Sequence, residues 1–142
     1  MRYYQFEELP VWKEAADLAR LALEFSSVDI FQPHTGLRNQ LERAAFSISN
    51  NIAEAFERGM TNDLLAFLDI ARGSAGEVRS MLHVLNAWNA FSDYKSQITD
   101  LTALSEKISK QLYGWIEQFK KSGIRGQRHL DKSRPIRTKL ET

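Results

Sequence analysis

From Arg43 to Glu77 two apolar helical patterns follow one another with only Arg58-Gly59-Met60-Thr61 between them. Two amphipathic helices joined by so short a link must fold back on each other, because neither can bury its apolar side alone. In the first pattern Leu37, Leu41, Ala45, Ile48, Ile52 and Phe56 mark a core face. In the second, Leu64, Leu68, Ala71, Ala75, Val78, Leu82 and Leu85 recur at alternating spacings of four and three, the period of an α-helix. Gly59 occupies the position where a left-handed residue closes a helix. Thr61 suits the next N-cap, and Asp63 suits its first turn.

The flanking segments carry the same period. Pro10 to about Val28 reads as a helix: Pro10 fits its first turn, and Trp12, Ala15, Ala19 and Ala22 form a stripe widened by Val11, Leu18 and Phe25. Pro33 helps end the loop that follows. The third helix is expected over about Asn62 to Ala90. The fourth is expected from Ser92 or Asp93 to Lys121, with Tyr94, Ile98, Leu101, Ile108, Leu112, Trp115 and Phe119 inward and Lys120 and Lys121 at its C-terminal dipole. No segment alternates like a strand. The fold class is therefore all-α, an up-down-up-down antiparallel four-helix bundle over residues 1–122, followed by a basic, flexible C-terminal tail over 123–142.

The third helix carries more apolar surface than one neighbour needs. A second stripe runs Phe67, Ile70, Ser74, Glu77, Met81, Val84, Trp88, Phe91, which predicts contact with a further copy as well as with the core. Its far side has small residues, Ala66, Gly73, Gly76 and Ser80. A glycine inside a helix costs about 1 kcal/mol relative to alanine, and close approach of another helix is the expected compensation.

Polar residues also recur at helical spacing. Arg43, Ser47, Asn51, Glu54 and Arg58 are separated by four, four, three and four, so they share one side of the second helix. They form either an ordinary solvated face or, with Arg72, Ser74 and Glu77 of the third helix, a buried or interfacial network in which arginine forks meet carboxylates.

Composition excludes several chemistries. The 142 residues contain no cysteine, so disulfides, thiolate metal sites and thiol nucleophiles are absent. Glu7 and Glu8 fall where a signal peptide would begin its apolar core, and no run approaches the roughly 18 apolar residues of a membrane span; the expected location is the cytoplasm. His34, His83 and His129 are far apart with no acid at ligand spacing, Glu-x-x-His pairs are missing, and Gly73-Ser74-Ala75-Gly76 lacks the strand and Lys-Ser/Thr of a phosphate loop. Ser47 and Ser74 have no histidine near in sequence. No enzyme activity, metal or cofactor is expected.

Charge is unevenly placed. Residues 123–142 carry Arg125, Arg128, Lys132, Arg134, Arg137 and Lys139 against Asp131 and Glu141, a net +4, which leaves 13 basic and 16 acidic residues, −3, before them. The basic segment has no interleaved aromatics, so base stacking is not indicated; it is either a site of phosphate contact with RNA or DNA or a solubilising tail.

Gln40-Leu41-Glu42-Arg43-Ala44-Ala45-Phe46-Ser47-Ile48, Asn51-Ile52-Ala53-Glu54-Ala55 and Phe67-Leu68-Asp69-Ile70-Ala71-Arg72-Gly73-Ser74-Ala75-Gly76-Glu77 together resemble the signature of the four-helix bundle family that includes the 23S ribosomal RNA intervening sequence proteins. That family is related to the accessory variability proteins of diversity-generating retroelements. Leu9-Pro10-Val11-Trp12-Lys13 is similar to its opening. Ala55 stands where the motif usually ends in glycine, and Ser49 where proline is frequent. The resemblance, over about residues 6–120, implies a cytoplasmic bacterial bundle that assembles into a ring, typically a pentamer, with no catalytic residues. For the retroelement relatives it implies binding to nucleic acid and a reverse transcriptase. The expected function is a ring-forming interaction protein, or alternatively such an accessory protein.

Overall fold

A computed structural model of the chain describes residues 3–59 and 62–129, with side chains through Lys121. Four helices run α1 Pro10–Ser26, α2 Thr35–Arg58, α3 Asn62–Ala87 and α4 Lys95–His129. Short 3₁₀ turns lie at Phe6–Glu8, Asp29–Phe31 and Asn89–Tyr94. Each helix packs on its sequence neighbours, and α1 also packs on α4, so the four axes occupy the corners of a square. This is the antiparallel up-down bundle, and no strand occurs among the described residues.

The apolar stripes meet along the centre. Ala15, Leu18, Leu41, Ala45, Ile48, Ile52, Leu64, Leu68, Leu82 and Ile108 are fully or almost fully buried. Pro10 takes the first helical position of α1. Gly59 closes α2 at φ 68°, ψ −134°. Its φ is positive, as expected, but its ψ lies far from the left-handed helical value, in a region open essentially to glycine. Thr61, the anticipated cap of α3, lies outside the described residues.

Aromatic packing moves three boundaries. Phe31 and Phe91 are fully buried, and Phe25, Phe31, Phe91 and Tyr94 form edge-on and tilted ring contacts with centroids 5.1–6.2 Å apart. To bring Phe31 inward, α1 stops at Ser26 rather than Val28. Ser26 and Ser27 turn their hydroxyls back to the carbonyls of Leu23 and Glu24. To bring Phe91 inward, α3 stops at Ala87 rather than Ala90. Residues 89–94 tighten into a 3₁₀ turn, and α4 starts at Lys95 rather than Ser92 or Asp93. The Lys95 ammonium then donates to the carbonyl of Asn86 at 3.0 Å.

At its other end α4 continues eight residues past Lys121 to His129. Arg125 and Arg128 therefore sit on its final turns, whereas Lys132, Arg134, Arg137 and Lys139 lie outside the described residues. α1 is tied to α4 by Glu14, which accepts from the Lys107 ammonium at 2.8 Å and from the Gln111 amide. No described helix is long and apolar enough to cross a membrane.

Candidate functional site

The side of the bundle formed by α2 and α3 carries most of the polar pattern. At its centre Ser74, only 8 % exposed, donates its hydroxyl to Ser47 Oγ at 2.8 Å. Asn51 Nδ2, one turn further along α2, donates to both the carbonyl and the Oγ of Ser47, at 2.7 and 3.0 Å. The Ser47 oxygen thus accepts from two helices, and neither contact uses its own proton. Towards the α3 N-terminus, Arg58 reaches Glu54 at 3.5 Å and Asp63 at 3.4 Å, and its guanidinium lies 5.1 Å over the Phe67 ring. In the other direction, Gln40 donates to Glu77 at 3.4 Å.

The network is thinner than an Arg–carboxylate lattice. Glu54, Arg58 and Glu77 are exposed, so their pairs are each worth well under about 1 kcal/mol. Arg43 lines an open groove of about 510 Å³ with Gly36, Gln40, Ser47, Ser74 and Glu77, yet its guanidinium makes no hydrogen bond or ion pair among the described residues. Arg72 does not belong to this side. It is two residues from Ser74, about 200° around the helix, and stacks on the Tyr113 ring of α4 at 4.9 Å. Neither Arg72 nor Glu77 therefore pairs with Arg43, Asn51 or Glu54; Glu77 reaches α2 through Gln40 instead.

The second stripe of α3 divides in two. Ser74 and Met81 are buried and Phe67 is half-buried, but Ile70 is 49 % exposed, Val84 66 % and Trp88 42 %. Ile70, Glu77 and Val84 lie seven residues apart, nearly in line, as an apolar ridge with one carboxylate at its middle. The small residues behind it find no helix: a Cβ at Gly73 or Gly76 would meet nothing within 4 Å. Close packing within the chain therefore does not offset the cost of those glycines.

A second apolar surface escaped the sequence pattern. Between α1 and α2 lies a groove of about 320 Å³ lined by Trp12, Ala16, Ala19, Leu23 and Phe46, with Leu23 and Phe46 each 41 % exposed. Both fall outside the core stripes of their helices, and that misplacement was the available signal.

Of the histidines, His34 makes an edge-on contact with Trp88 at 5.1 Å and His83 is exposed. Among the described residues no cluster of His, Asp and Glu can hold a metal ion.

Residues 7–114 match the family model described as 23S rRNA-intervening sequence protein. No curated protein matches the chain.

Proposed function

The chain belongs to the 23S rRNA-intervening sequence protein family, and from that membership we propose that it is a non-enzymatic, ring-forming interaction protein of the cytoplasm. The observation that carries this reading is the exposed line of Ile70 and Val84 on either side of Glu77 on α3, beside the Ser47–Ser74 contact. Scattered exposed apolar residues are ordinary on a protein surface, but aligned ones bordered by polar groups mark contact surfaces. The side chains around the ridge are donors and acceptors without a nucleophile–base pair, which suits recognition better than chemistry.

Contact with nucleic acid is the second part of the proposal. Its support is the segregation of charge: +4 over residues 123–142 against −3 for the rest. Arg125 and Arg128 lie on the last turns of α4, so an assembly would gather several basic ends, and avidity would multiply a weak phosphate affinity. The retroelement-accessory reading needs a basic bundle surface, and the acidic balance of residues 1–122 does not favour it.

Light scattering across a salt series, with and without a generic RNA or DNA, tests both parts. The expected result is a homo-oligomer in all conditions that retains nucleic acid only at low salt. Replacing Arg125, Arg128, Lys132, Arg134, Arg137 and Lys139 by Gln is expected to abolish that retention and leave the mass unchanged. A monomer would refute assembly. Undiminished retention by the Gln variant would move the contact to the helices.

A further inference from the structure

We infer that the α3 ridge of one copy seats in the α1–α2 groove of the next, with Glu77 of the first copy paired to Arg43 of the second. This rests on the self-association proposed above and identifies the two surfaces that carry it. The shapes are complementary: Ile70 stands on a convex helix, whereas the groove is concave and floored by Ala16 and Ala19, with Leu23 and Phe46 at its rim.

The charges agree too. Arg43 stands on α2 one turn before Phe46, at the edge between the α1–α2 groove and the side shared with α3; it has no partner among the described residues, and Glu77 has only the 3.4 Å contact with Gln40. Neither charge meets an opposite charge among the described residues, and each is what the other lacks.

The levels along the bundle match as well. Ser47 and Ser74 touch, and Ser26 on α1 donates to Glu42 on α2 at 2.7 Å; on antiparallel helices that contact puts Leu23 within about one residue of the level of Phe46, so Leu23, Phe46 and Ser74 stand at about one height. α1 and α3 run the same way and α2 the opposite way. Four residues below that height on the parallel helices are Ala19 and Ile70. Three residues above it, on α2 and α3, are Arg43 and Glu77. At about 1.5 Å per residue each pair is level, so copies related by rotation about an axis along the helices bring Ile70 over Ala19 and Glu77 against Arg43.

The two surfaces are different, which makes the contact head-to-tail rather than two-fold.

Complementing variants test this. Ile70→Asp spoils the ridge and Leu23→Asp the groove. Both residues are exposed in the single chain, so circular dichroism is expected to show unchanged helicity. Each variant alone is expected to be monomeric, and an equimolar mixture to form a heterodimer of twice the chain mass, because one intact ridge and one intact groove remain. As a second measure, Arg43→Glu and Glu77→Arg are each expected to weaken self-association about tenfold, and mixing the two variants is expected to restore it. A wild-type oligomer whose mass ignores both Asp variants, or Asp variants that stay monomeric when mixed, would overturn this docking and leave the self-association itself standing. A monomeric wild type would remove both.

Discussion

Ser74 on α3 donates to the Ser47 oxygen on α2 across 2.8 Å, and Asn51 donates to that same oxygen from the next turn of α2. One hydroxyl therefore fixes the register of two helices. Removing the Ser47 oxygen strands the buried Ser74 hydroxyl, while Asn51 keeps the Ser47 carbonyl; removing Ser74 Oγ strands no donor. Ser74→Ala is expected to cost about 1 kcal/mol and Ser47→Ala about 2 kcal/mol, read from urea unfolding midpoints at unchanged slope. Equal, negligible costs would make the contact incidental.

Glycines in this chain should respond to alanine with opposite signs. Gly59 has φ 68°, so Gly59→Ala is expected to lose about 1–3 kcal/mol from backbone strain. Gly76 lies inside α3 with open space where its Cβ would stand, so Gly76→Ala is expected to gain about 0.5–1 kcal/mol. Thermal melts of the two variants check the contrast.

Glu14 holds α4 through two partners, whereas its ion-pair partner Lys107 is largely exposed. Lys107→Ala should then change stability by less than about 0.5 kcal/mol. Glu14→Ala, which also leaves Gln111 unpaired, should cost about 1 kcal/mol. A larger loss for Lys107 would reverse the assigned hierarchy.

Arg72 over Tyr113 is an exposed cation–π stack, worth about 0.5–1 kcal/mol. Arg72→Ala and Tyr113→Leu are expected to show coupling of that size in a double-mutant cycle. Additive losses would mean the two side chains only share a neighbourhood.

Much of this fold was legible in the period of its apolar residues. α2 spans Thr35–Arg58, as the stripe from Leu37 to Phe56 and the following Gly59 require. The ends around Phe31 and Phe91 were not legible, because burial of a single aromatic ring decided them and no local propensity announces that. The fourth helix, expected to end at Lys121, runs on through Ser122 and Gly123 to His129; one glycine costs a helix about 1 kcal/mol without ending it.

The polar side of the bundle was legible on α2, where spacing placed Ser47, Asn51 and Arg58 together. It was overextended on α3, where the angle between Arg72 and Ser74 already separates them. Gln40 is three residues before Arg43 and seven before Ser47, so the same spacing rule could have found it. Leu23 and Phe46 belong to no core stripe of their helices, so periodicity alone does not mark them, and each is 41 % exposed.

Sedimentation equilibrium of the wild-type chain beside its Ile70→Asp variant, at micromolar concentration, tests the assembly role of α3 most directly. The predicted outcome is a wild-type mass several times the 16.3 kDa of one chain and a variant mass equal to it. A wild type that sediments at 16.3 kDa would contradict it.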